Sequence, residues 1–392
     1  MNDSWSVVFM QKLMKYKAQM FILSFFLFAC TAVPQRSALT QASPPYPASN
    51  IITAVSYDWS THIQQAPGSD NWSITWADDG NQYTSWGDGG GFGGTNSDGR
   101  ESLGVARIEG NKNSYIGYNV WGGKNQEHPS QFGGKSYGIL SVGGNLYMWV
   151  SPGSSSSNYD EARLAKSTDH SATWTKADWA FEKADGIVLP TILQYGKDYA
   201  GALDNYIYSY FIRLQDGSDL KVQIPGQVYL ARVHKNVISD FSNLTRSDFE
   251  FYTSSDPNNP AWGAFANRKP VFEDPNGVGW NLSVSHNAGL NRYLLMTEHS
   301  KSFKGNLGIF DAPNPWGPWT TVAYYSNWLN TESTFFWNFS NKWLSTDGKS
   351  FTMVFTGVNS GANTYDSWNT VQGTFATDSL EPQAYLPIVS NQ

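Results

Sequence analysis

Residues 70 to 91 hold four aspartates and three tryptophans and include a run of three glycines at their end. Two carboxyl groups that meet at short range can divide acid–base work between them, since a desolvated one keeps its proton and donates it, while the other stays ionised. Asp79-Gly80 is a favoured two-residue hairpin turn. With that turn Trp76 faces Tyr83, Ile74 faces Ser85 and Asn71 comes opposite Asp88, so Asp70 and Asp88 emerge at one open end. Neighbours and diagonals across a strand pair stand roughly 5 to 8 Å apart, which overlaps the about 5 to 9.5 Å used by carboxyl pairs that cleave acetal links. Strict alternation would send the two side chains to opposite faces, so the loop must break the ideal register. Gly87, Gly89, Gly90 and Gly91 bracket Asp88, which predicts positive φ there and room for a substrate to approach. Asp78 and Asp79 read as turn formers. Packing against Trp72 would desolvate Asp70, which makes Asp70 the acid and Asp88 the base.

A pair so placed needs a rigid frame. Short alternating runs recur between Gly, Asn and Asp: Tyr137 to Val142 and Asn145 to Val150 around Gly143-Gly144, Tyr206 to Leu214, Val228 to Val233, Tyr293 to Thr297, and Phe351 to Thr356. Hairpins without helical periodicity between them predict an all-β sandwich, barrel or propeller. Two kinds of turn select the propeller. Residues 167 to 174 (STDHSATW) resemble the Asp-box of sialidase-type propellers, with Ser171 where Gly is usual, and residues 345 to 351 are a looser copy. In such a box Asp and Ser side chains satisfy backbone N–H groups, which is a structural role. Residues 312 to 319 (APNPWGPW) resemble a Gly-Pro-Trp turn of five-bladed propellers. At about 65 residues per blade, a single domain over residues 51–380 accommodates five, and a five-bladed β-propeller is expected.

Lys12, Lys15 and Lys17 precede an apolar run from Met20 to Ala29, too short to span a bilayer, which reads as an export signal over residues 1–30. Leu27-Phe28-Ala29-Cys30 resembles a lipobox and predicts lipidation of Cys30, hence an exported cell-envelope lipoprotein that touches membrane only through this anchor. A plain secretory signal is the alternative. Cys30 is the only cysteine, so no intrachain disulfide is available. Residues 31–50, rich in Pro, Ser, Ala and Gln, read as a flexible tether, and residues 381–392 as a tail. Charged residues make up 15% of the chain, against about 25% in average domains. A net charge of −7 without basic clusters excludes nucleic acid as a partner. The glycines at 89 to 94 are not followed by Gly-Lys-Ser/Thr, no close His pair marks a metal, and no cofactor is implied. The sequence spells out no ligands for an ion in the propeller's central channel. A monomer is expected. Sequons at Asn71, Asn243, Asn281 and Asn338 read as chance products of Asn- and Ser-rich loops.

The chain resembles a family of secreted bacterial β-propellers, long catalogued as a domain of unknown function, that includes endo-D-arabinanases. The resemblance is carried by DNW at 70 to 72, TWADDGNQY at 75 to 83, WGDGGGFG at 86 to 93, LGVARIEG at 103 to 110, and Ser283-Val284-Ser285 with Asn291 to Leu294, and it covers most of residues 55 to 375. It implies a glycoside hydrolase that acts on a polysaccharide, with Asp70 and Asp88 as the acidic residues needed for cleavage. Trp72, Trp86 and Trp280 are then candidate stacking platforms for sugar rings, and Asn119 and Asn281 candidate ligands of sugar hydroxyls. For any single Trp on a strand, the core is the competing place.

Two other functions fit the same composition. A polysaccharide lyase on a propeller would abstract a proton with a base such as His128 or His286, and its product would carry an ultraviolet-absorbing double bond. A non-catalytic glycan-binding lipoprotein would bind polysaccharide without shortening it.

Overall fold

The computed structural model describes residues 42–151, 160–188, 190–215, 221–328, 334–357 and 366–378. Cys30 and the tail at 381–392 lie outside them. Within the unit that begins at Gln41, the strands form five antiparallel sheets, and these are the five blades of a β-propeller. The first blade comprises Asp70–Trp76, Gln82–Gly87, Leu103–Asn111 and Ser114–Trp121. The second starts from Lys135–Val142 and Asn145–Ser151, the third from Thr191–Ile192 and Tyr206–Ile212, and the fourth from Leu282–Asn287 and Arg292–Glu298. Phe335–Phe339, Ser350–Thr356 and Trp368–Thr377 begin the fifth. The first strand of each blade touches the first strands of the blades before and after it, and the contact of Phe335–Phe339 with Asp70–Trp76 closes the ring.

The two ends of the propeller meet in one sheet. The N-terminal strand Ile52–Gln65 does not found a blade of its own but pairs antiparallel with Trp368–Thr377, and so completes the fifth blade. The edge of Trp368–Thr377 that would otherwise face outward is thereby paired. Part of the segment expected to be a tether is docked. Ser49 N–H donates to Thr321 O at 2.8 Å, Thr321 N–H donates to Pro47 O at 2.8 Å, and Tyr46 packs on Phe272 and Phe310. The flexible stretch anticipated over 31–50 therefore does not run through residues 46 to 49.

Both box turns fold as side-chain scaffolds. Asp169 accepts from Ser167 Oγ at 2.8 Å and from Thr173 N–H at 2.9 Å. Ser171 holds φ +77°, the conformation for which Gly is the usual choice, and its N–H donates to Ser167 Oγ at 2.8 Å. In the second box Asp347 accepts from Ser345 Oγ at 2.6 Å and Lys349 N–H at 3.0 Å. Trp319, at the end of the Gly-Pro-Trp turn, anchors the fourth blade to the third by donating from Nε1 to Val271 O at 2.9 Å.

Candidate active site

The hairpin that carries the two aspartates departs from the expected register by one residue. Ala77 N–H donates to Asn81 O at 2.9 Å and Gly80 N–H to Ala77 O at 3.1 Å, so Asp78, Asp79 and Gly80 together form the loop. A three-residue loop that ends on a left-handed residue is the next commonest hairpin solution after two residues. Gly80, at φ +84°, supplies it. Trp76 consequently pairs with Gln82 and Ile74 with Thr84, not with Tyr83 and Ser85. The register then slips between Ser73 and Asp70, and Asp70 pairs with Gly87. Asn71, at φ +59°, sits in that slip, and Asp88 itself turns left-handed at φ +50°. A bulge on one strand and a reversal at the end of the other supply the break in alternation that the pair requires.

Glycine makes the meeting possible in a different way from the one anticipated. A Cβ on Gly87 would lie 2.9 Å from Asp70 Oδ1 and 3.4 Å from Lys135 Nζ, so the missing side chain is the space these groups occupy. Gly89 and Gly91 do take positive φ, +69° and +65°, but they do not hold room open for a substrate. A Cβ on Gly89 would run into Gly68 O, one on Gly90 into Asp98 O, and one on Gly91 into Asn119 Oδ1. They let the loop pack tightly beneath Asp88.

The electrostatics separate the two carboxyls. Asp88 is 24% exposed at its side chain, and its Oδ1 meets Lys135 Nζ at 2.5 Å and Arg100 Nη2 at 3.3 Å. Asp70, partly exposed, accepts from Asn71 Nδ2 at 2.9 Å. Burial pushes its carboxyl well above the usual carboxylate range, the charges of Asp366 and Asp88 add to the rise, and Lys135 and the Asn71 amide oppose it. Asp366, from the fifth blade, is raised as well, by burial and then by Asp88, against Arg100 and Lys135. Three carboxyls thus share one site with two cations. Neither Lys135 nor Asp366 carries a motif, and only the meeting of three blades reveals them.

The remaining predicted residues are mostly structural. Trp72 and Trp86 are 0% exposed and Trp280 is 1% exposed, so none offers a ring face to a sugar. Trp72 packs edge-on against Trp368 at 5.4 Å and donates from Nε1 to Ser69 O at 3.1 Å, filling the seam between first and fifth blades. Asn119 is a clamp for the glycine loop: Phe92 N–H donates to its Oδ1 at 3.0 Å, and its Nδ2 donates to Gly90 O at 3.0 Å and Lys124 O at 2.7 Å. With every polar atom engaged, it has nothing to offer a sugar. Asn281 is also buried, but it stands behind the site, and its Nδ2 donates to Asn71 Oδ1 at 3.2 Å. A relay of amides therefore backs Asp70. The sequons at Asn71, Asn281 and Asn338 are buried, in keeping with a chance origin.

His286, one of the two bases considered for a lyase, lies near the far end of the strand Leu282–Asn287 from Asn281, where burial lowers its pKa. His128 is exposed beside the outer strand of the first blade, bridged to Trp121. At the hairpin turn, far along the strand from Asp70, Asp78 meets His170 Nε2 at 2.8 Å, and Asp79 accepts from Asn81 N–H at 2.8 Å and Tyr83 Oη at 2.9 Å. The ligand-type atoms of Asp78, Asp79 and His170 lie within 4.8 Å of one another, and their bonds brace the turn against the second blade's box.

No known family model and no curated protein matches the chain. Among solved structures it is similar to a GH43_1 enzyme from Xanthomonas citri, with 14% identity, a TM-score of 0.47, and coverage of 81% of this chain and 91% of that one. It is also similar to a family 117 glycoside hydrolase from the marine bacterium Zobellia galactanivorans (10% identity, TM-score 0.43, coverage 83% and 91%). A GH62 hydrolase solved with xylotriose is a third such structure (11% identity, TM-score 0.42, coverage 84% and 96%).

Proposed function

We propose that this protein is a glycoside hydrolase that cleaves a polysaccharide, with Asp70 as general acid and Asp88 as general base. The observation that carries the reading is the unequal treatment of two adjacent carboxyls: Asp70 is held toward its neutral form by burial and neighbouring acids, while Asp88 meets two cations. In that arrangement Asp70 gives its proton to the departing glycosidic oxygen as the bond to the anomeric carbon breaks. Asp88 takes a proton from the water whose oxygen bonds to that carbon. Arabinan-type furanosides are the substrate class, on the strength of the sequence resemblance around Asp70 and Asp88.

The test is a panel of plant, algal and mycobacterial polysaccharides, with products read by mass. Wild-type protein shortens an arabinan, and Asp70→Asn and Asp88→Asn each lower the rate by about 100- to 10,000-fold, the range of general acid–base catalysis. Binding of a glycan without any cleavage by the wild type would leave a binding lipoprotein instead. We further propose export and lipidation at Cys30, for which palmitate labelling of the wild type and its loss in Cys30→Ser is the check.

A further inference from the structure

Lys135 opens the second blade, yet its ammonium belongs to the first. The side chain is 6% exposed, and a buried ammonium is costly unless it is paired and hydrogen-bonded. Its Nζ donates to Asp88 Oδ1 at 2.5 Å and to Ser102 O at 3.1 Å. The same Nζ and Asp70 Oδ1 flank the one spot that a side chain on Gly87 would fill. The contact of Arg100 with Asp88 is to the same Oδ1, so both cations converge on one oxygen. Asp70 accepts instead from an uncharged amide.

The charges decide where a proton can rest. Asp88 contacts Lys135 and Arg100, and the charge of Lys135 also acts on Asp70 and Asp366; counted over these five groups the net charge is zero when one carboxyl is protonated and −1 when none is. A cation in contact favours the ionised form of its partner, and a like charge nearby favours the neutral form. We propose that Lys135 is the positioning residue of the pair: it holds Asp88 by Oδ1 as the anion and leaves the proton to Asp70. This deepens the hydrolase reading and rests on it for the catalytic roles, but the division of the proton is a property of the folded chain alone.

The experiment follows both. Full-length protein labelled at aspartate carboxyl carbons is titrated by NMR as wild type, Lys135→Met, Lys135→Gln and Lys135→Arg, with the Asp88 resonance identified by its loss in Asp88→Asn. Near-ultraviolet circular dichroism confirms that each variant is folded, and the Gln variant replaces the Met variant if the latter is not. Because the ammonium touches Asp88 directly, its removal moves the Asp88 midpoint up by about one pH unit or more, and Lys135→Arg restores it. On a D-arabinan the acidic limb of the rate profile moves up with it, and kcat falls while KM holds. An Asp88 midpoint that is the same in the neutral variants and the wild type overturns the proposal. If the midpoint moves but no polysaccharide of the panel is cleaved, Lys135 keeps its role and the hydrolase reading falls. If arabinan is cleaved with an unmoved midpoint, the hydrolase reading stands and Lys135 loses its role.

Discussion

Asp70 and Trp72 are two residues apart and have opposite fates, because one ends at the rim of the ring and the other in the seam between blades. Trp72 touches Trp86, Phe92 and Trp368, and each such aromatic pair contributes about 0.5–1.5 kcal/mol beyond the area it buries. Trp72→Ala is therefore expected to lower stability by about 3–5 kcal/mol in urea denaturation. A tryptophan that stacked on substrate would instead raise KM at unchanged stability. Side-chain type announced the aspartates, because few environments bring acids close together without use for them. It could not separate a platform from a core ring, since both are Trp on a strand, and only the seam with the fifth blade decides. Lys135 and Asp366 were illegible for the same reason: a single buried Lys or loop Asp has no spacing that marks it.

At the scale of the hairpin, the alternating pattern gave the strands, and the loop length decided which residues faced each other. One extra residue in the turn moved every pair by one, and the bulge at Asn71 moved Asp70 back beside Gly87. Sequence reasoning found the need for a break but not its place, because left-handed Asn and Asp look like any Asn and Asp until the backbone is traced. Asn71 has two duties, the left-handed turn and the hydrogen bond to Asp70. Substitutions separate them. Asn71→Gly keeps the turn and loses the bond, so kcat falls and the basic limb of activity moves to higher pH, since the bond opposes the rise at Asp70. Asn71→Ala adds strain of about 1–2 kcal/mol, which thermal denaturation would read as a lower Tm than that of the Gly variant.

Across the whole molecule, the ring was legible from hairpin count and box turns, whereas closure by the N-terminal strand was not, because pairing between residues some 300 positions apart leaves no local pattern. A packed ring also buries acids and bases that chemistry does not use. Glu298 is fully buried, accepts from Lys304 N–H at 3.2 Å, leaves Oε2 without a hydrogen bond among the described residues, and is pushed by burial up to about 8. Between the ordinary glutamate value and about 8 the native state keeps a proton that the unfolded chain has lost, so stability falls as pH rises through that window. His299, stacked on Tyr324, is lowered to about 4 by burial and gives the opposite slope: its share of stability is lost as pH falls from about 6.5 towards 4. The Tm of wild type relative to Glu298→Gln should accordingly drop as pH is raised from about 5 to about 9. Hydrolysis at the Asp70–Asp88 pair is tested most directly by digesting D-arabinan in water enriched in heavy oxygen and weighing the products. Each new reducing end should carry one heavy atom in the wild type, with product from Asp70→Asn formed about 100- to 10,000-fold more slowly. Unlabelled products that bear a double bond, or an intact polymer under the wild-type protein, would contradict it.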